Sequence, residues 1–302
     1  MEKFTLQAMA KINLGLDVVR RLENGYHEVK MIMQTVDLYD ELTFEAAEEG
    51  ICLRTDRDTL PADESNLVWK AAKLIMEQYG IAGGVKIDLK KKIPMAAGLA
   101  GGSSDAAAVF HGMNRLFSLG MDVEEMKRLA VRIGADVPFC IVGGTMRSEG
   151  IGEILTPLPQ MQGAHLVIAR PDVLVSTRSV FEKLHVERIT RHPDMDRTEA
   201  AMRSGDLYGM CYYMENILET VTKKAYPVIG QIEADLKACG ALAALMSGSG
   251  PSVFGIFETQ TQATAACRTL REAGVAREIF PATFIDRGCR EKDSSIGGGE
   301  GL

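Results

Sequence analysis

The fold is decided by a run of small residues, Ile93-Pro94-Met95-Ala96-Ala97-Gly98-Leu99-Ala100-Gly101-Gly102-Ser103-Ser104-Asp105, after which a helical pattern of apolar residues begins. A loop without bulky side chains lets its backbone N–H groups approach a ligand closely. The helix is expected to begin at Ser103 or Ser104, where its unpaired N–H groups and the positive end of its dipole attract phosphate oxygens. The run therefore predicts a phosphate-binding loop.

Other interpretations of this run differ in a checkable way. No lysine follows the glycines, as it does in the G-x-x-x-x-G-K-[ST] loop of P-loop NTPases, and the G-x-G-x-x-G spacing of dinucleotide-binding units is missing. Considered alone, the run is also compatible with a glycine-rich turn that only lets a strand pack closely on a helix.

The chain before the loop is rich in strand patterns. Strands are predicted at Phe4–Ala10, Ile12–Val19 and Val29–Asp37. The Asn24-Gly25 pair between apolar runs predicts a tight hairpin turn, because both residues tolerate positive φ. A further hairpin is expected to pair Leu42–Ala46 with Ile51–Arg54.

Helical patterns flank the loop, and strands return after it. A helix is predicted from Ser65-Asn66 to Gly80, and another runs from the loop to Phe117. Beyond Pro157 and Pro159 an apparent hairpin pairs Ala241–Met246 with Val253–Phe257. The pattern as a whole predicts an α+β protein.

Two domains and a tail are expected from this organisation. The predicted boundaries give an N-terminal domain at 1–158, a C-terminal domain at 159–288 and a disordered tail at 289–302, whose glycines and polar residues offer little to bury.

Composition restricts the class of protein. The chain has 302 residues, 46% of them hydrophobic and 25% charged, with a formal net charge of -7, which argues against a nucleic-acid-binding surface. No apolar run approaches the roughly 20 residues that a membrane span needs. We therefore expect a cytoplasmic protein without a nucleic-acid or membrane partner. The six cysteines lack metal-ligand spacing and are expected to be free thiols, buried or partly buried.

A second segment with chemical potential is Gly134-Ala135-Asp136-Val137-Pro138-Phe139. A carboxylate among apolar neighbours is costly to desolvate unless it has a partner or a task. Asp136 is therefore a candidate base for a hydroxyl proton. The alternative is that its carboxylate caps the next helical turn, in which Pro138 occupies a permitted early position.

A third segment, Ala8–Leu14, places Lys11 and Asn13 on the same face of an otherwise apolar strand. That face is either solvated, which is the usual case, or directed into a cleft where the lysine holds an anion. A fourth segment, Met246–Val253, is a glycine- and serine-rich turn between two apolar strands. It is a hairpin loop, or it also lines a cleft.

Together and in this order, the four segments resemble the signature motifs of the GHMP kinase superfamily. The resemblance extends from Lys11 to about Val253. It implies a two-domain fold, with an N-terminal domain like domain 2 of ribosomal protein S5 and a C-terminal ferredoxin-like α/β sandwich. The active site is then expected in the cleft between the domains.

One branch of the superfamily is especially similar in its motifs. The matching segments are Ala10–Leu14, Asn24–His27, Gly101–Ala107, Gly134–Phe139 and Val175–Phe181. This resemblance implies a transferase that uses ATP to phosphorylate the 2-hydroxyl of 4-diphosphocytidyl-2-C-methyl-D-erythritol, in the non-mevalonate route to isopentenyl diphosphate.

The same resemblance assigns roles to individual residues. Asp136 takes or orients the hydroxyl proton, and Lys11 lies beside that hydroxyl and the transferred phosphoryl group. The ATP phosphates are assigned to Pro94, Met95, Ala96, Ala97, Gly98, Leu99, Ala100, Gly101, Gly102, Ser103 and Ser104. Either Ser103 or Ser104 is expected near Mg²⁺. The residues expected at the substrate are Asn13, Tyr26, His27, Thr177 and Phe181.

The aromatic residues of this set fit a cytosine base physically. Tyr26 and Phe181 offer rings for stacking, and His27 offers a hydrogen-bonding edge. The alternative is that these side chains only pack against a hairpin.

The loop also departs from the superfamily pattern. Alanine stands at positions 96, 97 and 100, where many members carry glycine. Because alanine resists positive φ, we expect the loop to avoid left-handed conformations at these positions.

The superfamily resemblance leaves two further functions open. Homoserine kinase is the alternative within the same class of enzyme, although it is not expected to need Tyr26, His27 and Phe181. A nucleotide-binding regulator without turnover is the alternative from another class, but it has no need to retain Asp136 and Lys11.

Overall fold

The computed structural model describes residues 3–292, which form two β-sheets and the helices that cover them. The strands are β1 Lys3–Arg21, β2 His27–Ala47, β3 Ile51–Thr55, β4 Gly84–Lys90, β5 Thr145–Glu149, β6 Ile154–Pro157, β7 His165–Arg170, β8 Ala243–Met246, β9 Val253–Phe257, β10 Glu278–Thr283 and β11 Cys289–Glu291. The helices are α1 Leu67–Tyr79, α2 Gly101–Leu116, α3 Val123–Ala130, α4 Val137–Val142, α5 Thr177–Lys183, α6 Met195–Ser204, α7 Leu207–Tyr213, α8 Glu219–Ala225, α9 Val228–Ala238 and α10 Gln260–Ala273. A 3₁₀ turn covers Val186–Arg188.

The first sheet has the order β11-β1-β2-β4-β3, and β5 and β6 extend it beside β2. The two strands predicted before the Asn24-Gly25 turn are one continuous strand, β1, which is interrupted by irregularities in its pairing with β2. One of them falls between Met9 and Lys11, where the register shifts. Such a shift bends a strand and redirects its side chains. It lies where β1 reaches the predicted site.

The predicted hairpin of Leu42–Ala46 with Ile51–Arg54 is wrong. β4 lies beside β2 instead, and β3 pairs with β4 in parallel. β4 suits the interior position, because its side chains Val85, Ile87 and Leu89 are buried, whereas Cys52 and Arg54 of β3 are exposed. An exposed strand belongs at the edge of a sheet, and α1 supplies the crossover that a parallel pair requires.

The second sheet has the antiparallel order β10-β7-β9-β8. With α9 between β7 and β8, and α10 between β9 and β10, the chain follows the split βαβ pattern of ferredoxin-like folds. Here the hairpin of β8 and β9 predicted from sequence is confirmed. The two sheets and their helices confirm the expected α+β class and the ferredoxin-like C-terminal sandwich.

Alternating side chains connect the two sheets. Ile12 and Leu14 of β1 belong to the same hydrophobic cluster as Leu166 and Ile168 of β7. The intervening residues of β7, such as Val167, belong to the other cluster, which contains residues of the helices. Each sheet therefore buries one face toward the other sheet and one toward helices. Lys11 lies between these apolar positions, on the face that does not join the inter-sheet cluster.

The predicted tail is wrong at its beginning. Cys289–Glu291 form β11 and pair with β1, with Leu6 opposite Glu291. The ladder offers these residues main-chain partners that a composition-based prediction does not consider. Positions 293–302 lie outside the described residues. The domain boundary at 158/159 stays a prediction, although the chain leaves the first sheet at Pro157 and begins the second at His165.

Cysteines and membrane segments can be compared with expectation directly. All six cysteines are free thiols, as predicted, and all but the exposed Cys52 are buried or partly buried. Within residues 3–292, no helix has the length and apolar character to cross a membrane.

Helix α2 begins at the end of the small-residue loop, and its packing on the first sheet holds the loop in place. An added side chain at Gly112 tests this packing. A Cβ at Gly112 would lie 2.5 Å from the ring of Phe44, which is buried. We expect Gly112→Ala to lower the free energy of unfolding by about 1–3 kcal/mol, because the helix must move away from β2. Urea denaturation followed by far-UV circular dichroism measures the change.

The matched control is Gly230→Ala in α9, where a Cβ meets nothing within 4 Å. The same substitution should there raise stability by roughly 0.5–1 kcal/mol, since alanine favours a helix. Equal effects of the two substitutions would contradict the close packing of α2.

Candidate active site

A cleft of about 1590 Å³ contains most of the predicted site. Of the residues assigned from sequence, all line the cleft except Leu99 and Ser104. The lining also includes Leu218, Gly248 and Ser249, which lie in the part of the chain that carries the second sheet. Four motifs that are far apart in sequence therefore meet at one cavity, which lies between the domain of the first sheet and the domain of the second.

The loop before α2 has left-handed backbone at three positions. Ala96, Gly98 and Ala100 have φ values of 50°, 75° and 56°. The expectation that alanines avoid such angles is therefore wrong at 96 and 100, whereas Ala97 obeys it. The backbone path of the loop into α2 requires the left-handed conformation, which costs roughly 1–2 kcal/mol at each alanine. Alanine is the smallest side chain after glycine, so the loop remains free of bulky groups at these positions.

The serine-rich turn between β8 and β9 holds this loop from the other side. A Cβ at Gly98 would lie 2.1 Å from the carbonyl oxygen of Ser247, so no side chain fits there. The Ser247 hydroxyl donates to the Gly98 carbonyl at 2.8 Å, and the Ser252 N–H donates to the Ala97 carbonyl at 3.3 Å. The turn is a hairpin loop and also a part of the cleft, so both sequence interpretations apply.

Helix α2 begins two or three residues earlier than expected. Its first residue is Gly101 rather than Ser103 or Ser104, because left-handed Ala100 already takes the N-cap position. The hydroxyl of Ser103 lies on the cleft side, but Ser104 is buried and its hydroxyl donates to the carbonyl of Met9 at 2.7 Å. Ser104 therefore connects α2 to β1, and Ser103 is the one of these two serines that lines the cleft.

Lys11 and Asn13 are not solvated. Both are buried, and the Lys11 Nζ donates to the Asn13 Oδ1 at 2.6 Å. The same Nζ lies 3.7 Å from Oδ2 of Asp136, whose side chain is one-third exposed to the cleft. The ammonium thus has an amide and a carboxylate as partners, which a buried charge requires. The main-chain N–H of Lys11 donates to Leu99, so the lysine and the loop are tied together.

Asp136 occupies the N-cap position of α4, but its carboxylate accepts no capping hydrogen bond. The capping alternative is therefore excluded in this structure. Pro138 lies in the first turn of α4, where its missing N–H costs nothing. The carboxylate is left free to face Lys11 and the cleft.

Aromatic side chains line another part of the same cleft. The rings of His27 and Phe181 lie 5.1 Å apart at an angle of 37°, which pairs the hairpin turn with α5. Burial lowers the pKa of His27, and the nearby Arg21 guanidinium lowers this pKa further. A neutral imidazole offers one donor and one acceptor. Tyr26 is largely exposed beside this pair.

Thr177 begins α5 near the glycine- and serine-rich turn. Its hydroxyl lies 2.7 Å from the hydroxyl of Ser249, and both residues line the cleft. The pair places one hydroxyl from each of two segments beside the loop that contains Gly98. Hydroxyl groups of this kind can donate to or accept from a polyol.

A buried cluster of charges under the loop was not predicted. Lys91, Asp40 and Asp105 are all almost fully buried, and the Lys91 Nζ donates to both carboxylates. Burial raises the pKa of the Asp105 carboxyl well above its usual value, although the Lys91 ammonium opposes this shift. Lys91 and Asp105 also line the cleft. The sequence carried one signal for the burial of Lys91. Every second residue of β4 up to Leu89 is buried, and Lys91 is the next position in this alternation.

Family models match two parts of the chain. The model described as GHMP kinases N terminal domain matches residues 66–144, and the model described as GHMP kinases C terminal matches residues 190–276. The first match contains the loop and Asp136, and the second contains the serine-rich turn.

Individual relatives match nearly the whole chain. A 4-diphosphocytidyl-2-C-methyl-D-erythritol kinase of Lachnospira eligens is 50% identical, over 93% of this chain and 98% of the relative. A kinase of the same name from Acetivibrio thermocellus is 48% identical, over 90% of this chain and 96% of the relative.

Solved structures agree with the sequence matches. The crystal structure of a 4-(cytidine 5'-diphospho)-2C-methyl-D-erythritol kinase has a TM-score of 0.80 and 33% identity, and it covers 93% of this chain and 98% of its own. A homoserine kinase of Cytophaga hutchinsonii also has a TM-score of 0.80, at 21% identity over 97% of this chain and 98% of its own, and shows the shared fold alone. With the four motifs assembled in one cleft and these relatives matched over most of its length, the chain belongs to the GHMP kinase family.

Proposed function

We propose that the cleft transfers the γ-phosphoryl group of ATP to the 2-hydroxyl of 4-diphosphocytidyl-2-C-methyl-D-erythritol, a step of the non-mevalonate isoprenoid route. The observation that carries the proposal is the presence of three features in one cavity: the Lys11–Asp136 pair, the small-residue loop and the His27–Phe181 ring pair. The relatives described above are named as kinases of this compound.

The loop is suited to the nucleotide phosphates. Left-handed residues on either side of Ala97 turn successive backbone N–H groups, and α2 starts directly afterwards with unpaired N–H groups at Gly101 and Gly102. Such backbone arrangements bind phosphate oxygens without a lysine in the loop. The cofactor assigned to this part of the cleft is ATP.

The Lys11–Asp136 pair is suited to the acceptor hydroxyl. Asp136 accepts or orients the hydroxyl proton while the hydroxyl oxygen forms a bond to the γ-phosphorus and the bond to the ADP oxygen breaks. Lys11 stabilises the negative charge that develops on the phosphoryl oxygens. Because Asn13 and Asp136 fix the ammonium on two sides, little reorganisation is needed when that charge appears.

The ring pair is suited to cytosine. Phe181 and Tyr26 provide aromatic faces for the base, and neutral His27 can meet both a donor and an acceptor on its edge. Thr177 and Asn13 line the same cleft and are the side chains proposed to bind hydroxyl groups of the alcohol. Homoserine offers no base for these rings.

The residues present also fit Mg²⁺. This ion usually keeps several waters and takes one or two protein oxygens besides the phosphates. Ser103 provides a hydroxyl at the cleft, and Ser104 is withdrawn from this role because its hydroxyl donates to Met9. When bound, the ion would neutralise charge on the nucleotide phosphates.

The test of substrate is release of ADP, measured in a coupled assay with MgATP. Turnover is expected with the cytidine-linked alcohol and not with homoserine, mevalonate or no acceptor. Release with another alcohol would keep the kinase assignment and overturn the cytosine site. No release with any acceptor, from folded protein that binds ATP, would favour a non-catalytic nucleotide-binding protein.

The role of Asp136 gives a sharper prediction. We expect Asp136→Asn to lower kcat by about 10²–10⁴-fold, because the variant loses the group that accepts the hydroxyl proton. The ATP dissociation constant, measured by isothermal titration calorimetry, should change little. Glu124→Gln is the control, since this carboxylate is exposed and pairs with Lys127 of the same helix. Near-normal turnover of the Asp136 variant would refute the assigned base.

The cytosine site gives a second prediction, in which a substitution should change KM for the alcohol but not KM for ATP. Phe181→Ala should raise KM for the cytidine-linked alcohol about 5–150-fold, the loss expected for one stacked base. KM for ATP should stay within twofold, as should both constants in Tyr212→Ala, which removes an exposed aromatic ring outside the cleft. Equal increases for both substrates in the Phe181 variant would contradict a cytosine-specific role.

A further inference from the structure

Three buried charges, Lys91, Asp40 and Asp105, lie at both ends of the phosphate loop and are not used by the chemistry described above. We refer to them as the buried triad. They come from different parts of the fold: Asp40 lies in β2, Lys91 directly follows β4, and Asp105 lies in α2. Buried ion pairs contribute little net stability, so the presence of three buried charges beside the loop calls for another explanation.

The start of the loop is fixed by Asp40. Its Oδ1 accepts the N–H groups of Lys92 at 2.5 Å and Ile93 at 2.8 Å, the two residues before Pro94. Its Oδ2 pairs with the Lys91 ammonium. The main chain of Lys91 is held as well, because its N–H donates to Asp56 at 2.9 Å.

The end of the loop is fixed by Asp105. Lys91 Nζ donates to Asp105 Oδ2 at 2.7 Å, one turn inside α2. The same ammonium lies 3.2 Å from the position of a Cβ at Gly101, directly beneath the first residue of the helix. One lysine side chain therefore connects the residues that precede the loop with the helix that follows it.

We propose that the buried triad is a positioning device that holds the two ends of the phosphate loop at a fixed separation, so that Ala96 and Ala100 remain left-handed before ATP arrives. The proposal rests on the assignment of ATP to this loop. Lys91 and Asp105 are positioning residues, and neither needs to touch a reacting atom.

A mechanical consequence follows from the backbone angles. L-residues other than glycine leave the left-handed region when nothing holds them there. A loop released at one end would relax at Ala100, and ATP binding would have to restore the strained conformation. The cost would appear in the affinity for ATP and not in the affinity for the alcohol, because the alcohol does not depend on the loop N–H groups.

The test compares two substitutions at one position. Asp105→Leu removes the acceptor for Lys91 and leaves Lys91 paired with Asp40, whereas Asp105→Asn retains an oxygen acceptor. We expect the ATP dissociation constant, measured by isothermal titration calorimetry, to rise about tenfold for Asp105→Leu and less than threefold for Asp105→Asn. KM for the alcohol should stay within twofold in both. Lys92→Met is the control, since this neighbouring ammonium is exposed and pairs with Glu41.

A second substitution identifies the mechanism. Ala100→Gly, added to Asp105→Leu, should recover at least threefold of the lost ATP affinity, because glycine adopts positive φ without strain. Thermal unfolding monitors the fold of every variant, and Asp105→Ala replaces Asp105→Leu if the leucine variant does not fold.

Three results would overturn the proposal. Unchanged ATP affinity in the folded Asp105→Leu variant would show that the triad does not position the loop. Equal losses for ATP and the alcohol, or an absence of rescue by Ala100→Gly, would assign the triad to general stability. The calorimetric measurement is independent of turnover, so wild-type protein that binds ATP but does not phosphorylate the cytidine-linked alcohol would refute the proposed substrate while the triad is still judged.

Discussion

The carbonyl oxygen of Ser247 occupies the space that a side chain at residue 98 would need. This close contact between the two domains determines how the cleft is built. Because Gly98 carries no side chain, a turn of the second sheet can press directly on the loop of the first domain and exchange hydrogen bonds with it. The contact closes one wall of the cavity and limits where the loop N–H groups can point. The positions of Lys11 and the loop follow from it, since Lys11 is bonded through its main chain to the residue after Gly98.

The charged groups of the cleft are also held by close partners. Lys11 is buried but not isolated, because Asn13 and Asp136 approach it from a strand and from a helix start. Asp136 remains partly exposed, so a hydroxyl group can reach it without displacing the lysine. A strand that is apolar on one face and polar on the other thus joins the hydrophobic cluster between the sheets to the reactive side of the cleft. The sheet that stabilises the fold also positions Lys11, which is proposed above to stabilise the charge on the phosphoryl oxygens.

Sequence predicted what depends on local pattern or on the order of motifs. The hairpin of β8 and β9, the helix after the loop and the α+β class follow from periodicity and turn residues, whereas the joint cleft followed from the resemblance. Partners distant in sequence were missed: β3 was assigned to β2 because turn residues do not reveal that β4 is inserted between them. Lys91 was missed because a run of three lysines is usually solvated. Ser104 was assigned to the ligand because its actual partner, Met9 of β1, is distant in sequence. The left-handed alanines were mispredicted, since intrinsic preference gave way to tertiary contacts.

The return of β11 to the first sheet has a consequence for the architecture of the chain. The main-chain N–H of Met9 donates to Gly288, and residues 289–291 complete the edge beside β1 after the second sheet has ended. The first domain is therefore discontinuous in sequence, and the second is an insertion within it. No single cut separates the two into intact modules, and recombination that exchanges only one of them would need two crossovers. The first and last strands of the described residues, β1 and β11, belong to the same sheet, so the segment that carries the second sheet is held at both of its ends.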